Sequence, residues 1–282
     1  MLLALLLAVV LPGCSAVKLG YNNAPELSYW WLDSYLDFDS AQSLKVRADL
    51  GALQAWHRQN ELPAYISTLE KLQRMAPANV TSAQVCDVYA ELKPHFQTLI
   101  DQAGLSLVAL APTLTPDQLD HLARQLKKRS DKWREEWMDG SPEELSSRRV
   151  KQLQDRVEML YGRLDEPQLA VLRTSVASSV FDAATSSRES QRRHQDALQT
   201  LRQLQPGMPN PQRIQAQVHD LLSRAIDSPD PAYRNYLDKV IQENCKTLAA
   251  LHNSITPTQR TKAIETLKDY ASDARALMAQ KP

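Results

Sequence analysis

An all-α fold is the expectation: a multi-helix bundle of about nine or ten helices in 282 residues, as one domain or two packed helical subdomains. Three observations carry it. The chain is rich in Leu, Ala, Gln, Arg and Lys, which favour helix, and holds only 7 glycines. Apolar residues recur at spacings of three and four, and no segment sustains the two-residue alternation of a strand or carries an Asn-Gly hairpin turn. Helix-start signals recur, each a capping residue with a glutamine three positions later. A hydrophobic content of 43% with 23% charged residues supplies a real core and excludes both a disordered chain and a multispanning membrane protein. Lys+Arg and Asp+Glu both number 33, so no global field draws nucleic acid, and none is expected as a partner.

The first element is the apolar run Met1–Leu11, MLLALLLAVVL. It is shorter than the roughly 20 residues that cross a bilayer, and has the length of a signal-peptide core. Leu11-Pro12-Gly13-Cys14 follows. This tetrad resembles the lipobox of bacterial lipoproteins. The resemblance implies a signal peptide over residues 1–13, cleavage before Cys14, diacylglycerol on the Cys14 sulfur and acylation of the new amine. Several acyl chains anchor firmly, at about 0.8 kcal/mol per buried methylene. Ser15 stands where Asp would retain a lipoprotein in the inner membrane, which implies the periplasmic side of the outer membrane. No Lys or Arg precedes the apolar run, so the expected start lies upstream of Met1.

Residues 14–24 read as a short lipidated tether and 25–282 as the helical periplasmic body. The first helix is expected near Pro25, with Leu27, Trp31, Ser34 and Phe38 on one face, Tyr35 beside them, and Asp33 and Asp37 elsewhere. Further helices are expected near 40–58, 62–75, 81–103, 115–138, 142–161, 166–204, 211–227, 231–252 and 257–279. Gly104, Gly140, Gly162 and Gly207 fall between these segments as stops. The long 166–204 stretch loses its apolar period over Ser186–Gln195, where a bend or a solvated face is expected. The Pro-rich Gln205–Pro211 connection is the candidate subdomain boundary.

One start motif repeats. Leu114-Thr115-Pro116-Asp117-Gln118 and Ile255-Thr256-Pro257-Thr258-Gln259 share a form, with looser copies at Val80–Gln84 and Leu164–Gln168. The Thr or Asp caps free backbone N–H groups, and the Gln reaches back to complete a capping box. Any secreted helical protein can use such caps. The pentads also resemble the Leu-Thr-x-x-Gln motif of the Spy and CpxP-like periplasmic chaperones, which implies a stress-related, client-binding role. A broader resemblance is to an uncharacterised class of proteobacterial lipoproteins. It rests on Cys14, then Tyr21-Asn22, then Trp30-Trp31-Leu32-Asp33, and implies no known activity.

Chemistry-bearing residues are sparse in pattern. Cys86 and Cys245 belong to no zinc or redox spacing; they are either a disulfide or two separate buried thiols. A bridge would close a loop of about 160 residues. His57, His95, His121, His194, His219 and His252 form no metal or catalytic spacing, and no cofactor motif is present, so no metal, cofactor or enzymatic activity is expected. A catalytic set assembled from distant residues is the alternative. The runs Lys127-Lys128-Arg129, Arg148-Arg149 and Arg192-Arg193 have acidic neighbours for intrahelical pairing. Tyr29, Trp30, Trp31 and Tyr35 suit either a membrane or partner contact or the docking of the first helix. Trp133 and Trp137 are expected inside. The functional expectation is therefore a lipid-anchored protein that binds an envelope protein or an unfolded client. The alternative is an assembly factor for outer-membrane machinery.

Overall fold

The computed structural model describes residues 16–204 and 210–280, and all regular structure among them is helical. Twelve α-helices occur among the described residues, rather than nine or ten. They are α1 (Ala16–Asn22), α2 (Ala24–Leu36), α3 (Ser40–Asn60), α4 (Leu62–Met75), α5 (Ser82–Leu110) and α6 (Pro116–Trp137). Then follow α7 (Pro142–Tyr161), α8 (Glu166–Ala177), α9 (Ala183–Gln203), α10 (Pro211–Ile226), α11 (Pro231–Ser254) and α12 (Pro257–Ala279).

The extra helices have local causes. The segment expected as a tether folds from Ala16, and Asn23 joins α1 to α2 with helical hydrogen bonds on both sides (Asn23 N to Leu19 O, Leu27 N to Asn23 O). The 166–204 stretch breaks at residues 178–182, ahead of the weakly apolar part. Asp182 ends the break by accepting from Ala184 N and Thr185 N, which caps α9. The weakly apolar part itself is held by ions: Glu189 is buried and takes hydrogen bonds from Arg192 and Arg193.

Gly140 and Gly162 stop helices as expected, both at positive φ, where a Cβ is disfavoured. Gly104 does not. It lies inside α5, where a Cβ would stand 2.6 Å from Leu222 Cδ1, so its role is the close approach of α5 and α10. Gly207 and most of the Pro-rich connection lie outside the described residues.

The long α5 is the spine. Its first half packs on α11 and its second half on α10, and a 3-10 turn at Ala111–Thr113 hands the chain to α6. Two core clusters flank it. One gathers Leu36, Ala111, Leu114, Leu119, Leu122, Leu201, Leu204, Ile214 and Val218. The other gathers Tyr161, Leu164, Leu172, Leu251, Ile255 and Ala263. Helix α12 closes the molecule against α4 and α7 and also touches α1.

Candidate functional site: paired caps and an apolar cavity

All four repeated pentads form complete capping boxes, at Thr81/Gln84, Thr115/Gln118, Asp165/Gln168 and Thr256/Gln259. Asp39/Gln42 forms another, unannounced by an Leu-Thr start. Four of these five meet in pairs. Gln118 Nε2 donates to Gln42 Oε1 at 2.6 Å and Gln42 Nε2 donates to Gln118 Oε1 at 3.2 Å. Gln168 Nε2 donates to Gln259 Oε1 at 2.7 Å and Gln259 Nε2 returns the bond at 2.9 Å. Each amide also donates to the carbonyl two residues before its partner's cap: Gln118 to Asp37, Gln42 to Thr113, Gln168 to Ser254 and Gln259 to Arg163. The same junction is thus built twice, and buried amides at both are satisfied.

Beside the second junction lies an apolar cavity of about 380 Å³. Leu72 and Met75 of α4, Val85, Val88, Tyr89 and Leu92 of α5, Ile241, Cys245 and Leu248 of α11, and Ala263 and Leu267 of α12 line it. Tyr89 and Leu248 are also exposed and stand at its rim. The disulfide Cys86–Cys245 ties α5 to α11 along this wall, with Cα atoms 5.5 Å apart. The volume is that of a small-molecule site, and the lining is that of an apolar one.

Tyr161 and His252, at the cavity floor, are hydrogen-bonded to each other and to the backbone. Tyr161 Oη lies 3.0 Å from His252 Nδ1, and His252 Nε2 lies 2.9 Å from the Ala78 carbonyl. The carbonyl can only accept, so Nε2 carries the proton and Nδ1 accepts from the tyrosine. Arg260 Nη1, 3.2 Å from the same Nε2, then donates to the Ala76 and Ala78 carbonyls and not to the ring. Asn253 exchanges two hydrogen bonds with Val80, so the 76–81 loop is fixed across the cavity floor. Burial lowers the His252 pKa, and the Arg260 charge lowers it further against the raising effect of the Ala78 carbonyl. Burial pushes the Tyr161 hydroxyl up to about 12. Both are neutral at pH 7. The pair orients the floor.

The other predicted positions are dispersed. Cys14 lies outside the described residues. Tyr29 is buried, donating or accepting at Ser43 Oγ with the Arg47 guanidinium 3.6 Å over its ring, so it leaves the contact set and docks α2 on α3. Tyr35 is half-buried against the first core cluster. Trp30 and Trp31 are 61% and 54% exposed. The face predicted for α2 is therefore corrected: Tyr29 and Leu36 point inward, and Leu27 and Trp31 point out. Trp133 and Trp137 stack, half-buried, and Trp137 meets Phe181 edge-on. The remaining histidines each hold a local partner; His95, for example, binds the buried Glu61 at 2.7 Å. The basic runs pair with Asp131 and Glu189 or, as Arg148 does, bond the carbonyls that end α6. Among the described residues no group of three His, Cys, Asp or Glu could hold a metal ion, and no helix is long and apolar enough to cross a membrane.

Fold and site together define an all-α protein with a lined apolar cavity. Residues 34–234 match a family described as a family of unknown function, DUF6279, and over this span, well beyond half its length, the chain belongs to that family. No curated protein and no solved structure matches it. The match takes in three of the four paired caps and ends before Ile241, so all of the α11 wall and all of the α12 wall of the cavity lie beyond it.

Sequence reasoning missed the cavity. Its lining comes from helices distant in the chain, and each lining residue alone reads as ordinary core. The one local signal was Cys86 and Cys245, which mark where α5 meets α11.

Proposed function

We propose that the chain is a non-enzymatic lipoprotein, anchored through lipid on Cys14 to the periplasmic side of the outer membrane, whose helical body binds an apolar group in the cavity between α4, α5, α11 and α12. The apolar cavity carries this reading. Its lining is mostly apolar, and Tyr161 and His252 bond each other, which favours binding by exclusion of water. The Cys86–Cys245 bridge supports an oxidising compartment. The paired caps support the chaperone-like version, in which apolar side chains of an unfolded client occupy the site.

A titration with a fluorescent naphthylamine dye tests the binding site. One dye per chain is expected, and Ala263→Leu, which fills the cavity, abolishes it. Dye uptake untouched by Ala263→Leu removes the cavity from the reading. Suppression of client aggregation tests the chaperone version, and no effect at several-fold molar excess ends it. A second reading, an assembly factor, is favoured only by exposed Trp30 and Trp31. Crosslinked partners unchanged by Trp30→Ala and Trp31→Ala count against it.

A further inference from the structure

Helix α2 is apolar on both sides. Tyr29 and Leu36 fill the inner face. Leu27, Trp30, Trp31 and Ser34, at the i, i+3, i+4, i+7 spacing of one helical stripe, form the outer face, and the three large side chains are each more than half exposed. Ser34 is polar in name only, because its hydroxyl donates to the Trp31 carbonyl at 2.7 Å. Val17 and Leu19 of α1 are exposed as well. A soluble helix normally turns charge outward, so an outward stripe of this kind marks a surface that is covered.

Chain geometry says by what. Cys14 is two residues from Ala16, the first residue of α1, a reach of at most about 7 Å. The α1–α2 pair is tied to the helical body at several points. Lys18 Nζ pairs with Asp273 at 3.2 Å, Tyr21 Oη meets His57 Nδ1 at 3.0 Å, and Arg47 covers Tyr29 while binding Glu26. A lipid on Cys14 brings the start of α1 to the headgroup layer, the depth at which indole rings partition, and α2 with its Trp stripe follows α1 directly.

We infer that the outer face of α2 lies in the membrane interface, with Leu27, Trp30 and Trp31 inserted among the lipid headgroups. This rests on the anchor reading of Cys14. The body then stands directly on the bilayer and has one fixed orientation toward it.

The test uses the full lipidated protein in phosphatidylethanolamine and phosphatidylglycerol vesicles whose acyl chains are brominated near the headgroup. Bromine quenches indoles at the interface. Mass spectrometry of the N-terminal peptide first establishes lipid on Cys14; its absence fails the anchor reading, separately from the face. With lipid present, quenching is expected from two of the five tryptophans. Trp30→Phe with Trp31→Phe reduces the loss to that in unbrominated vesicles, and Trp133→Phe with Trp137→Phe leaves it in place. No quenching of the lipidated protein overturns the inference, as does quenching that survives replacement of Trp30 and Trp31. Crosslinking of Trp30 and Trp31 to a protein, without quenching, also overturns it and assigns the face to a partner.

Discussion

At the Gln42–Gln118 junction the residues four before the two caps are Tyr35 and Ala111; at the Gln168–Gln259 junction they are Tyr161 and His252, joined by a hydrogen bond of 3.0 Å. In other respects the two junctions share several positions. The residue before each cap is apolar (Phe38, Leu114, Leu164 and Ile255), and the residue seven after each cap is buried (Val46, Leu122, Leu172 and Ala263). The first junction sits in a filled core, where Ala111 and Leu114 have no exposed surface. The second opens on a cavity of about 380 Å³. Equal local chemistry thus produces a solid region and a hollow one. Capping did not require the hollow, which is why the cavity and not the motif carries the proposed function.

The largest expected difference lies in cross-linking. Only the hollow region has a disulfide among the described residues, and its 159-residue separation makes unfolded-chain restriction large, about 5 kcal/mol by loop-closure entropy. Cys86→Ser with Cys245→Ser should lower the urea midpoint accordingly, and reduction of the native protein should do the same. A midpoint unchanged by both treatments would show that packing alone holds α5 to α11.

Filling the two regions should give opposite results. Ala111→Leu places three extra carbons where none fit and should cost about 1–3 kcal/mol. Ala263→Leu projects similar bulk from the cavity wall and should cost far less, while dye binding disappears. Equal losses in thermal denaturation would erase the distinction between solid and hollow.

The paired amides, by contrast, should behave alike. Gln118→Ala frees the Asp37 carbonyl, the Thr115 N–H and Gln42; Gln168→Ala frees the Ser254 carbonyl, the Asp165 N–H and Gln259. Each should cost about 2 kcal/mol, the penalty of buried groups left unpaired. Losses that differ severalfold would break the equivalence of the junctions.

Much of this frame was legible in the sequence because it is local. Thr115/Gln118 and Thr256/Gln259 announce their helices through residues three apart, α7 runs from its Ser141 cap to Gly162, and α4, α7 and α12 have the bounds expected of them. What was hidden is tertiary. Nothing near Gln42 shows that its amide meets Gln118, because Phe38-Asp39 lacks the Leu-Thr start. Gly104 read as a stop, since its use, the approach of Leu222, comes from a helix a hundred residues on. The face of α2 was misphased because both its sides are apolar. Only packing distinguishes Tyr29 from Trp31.

The smallest predicted effect is on acidification, and it follows from the Tyr161–His252 pair, which the first junction lacks. His252 is held below its unfolded value of 6.5 by burial, with Arg260 as the facing cation and Tyr161 as the facing hydroxyl. As pH falls, the unfolded chain takes the proton first. The stability carried by neutral His252 is therefore complete above about 6.5 and is lost progressively below it. A proton on Nδ1 would also abolish the acceptor for Tyr161 and set an imidazolium against Arg260. Amide protection factors, which take out the intrinsic slowing of exchange at lower pH, should fall near His252 at the end of α11 between pH 7 and pH 5, while the Leu114–Leu119 turn, which has Ala111 in the corresponding place, should change less. His57 and His194 are also lowered by burial, so the melting temperature of the whole protein should fall over the same range. His252→Gln should flatten that slope only in part but should remove the local loss of protection in α11. Loss of protection there that persists in His252→Gln would place the acid sensitivity of the hollow region outside the Tyr161–His252 pair.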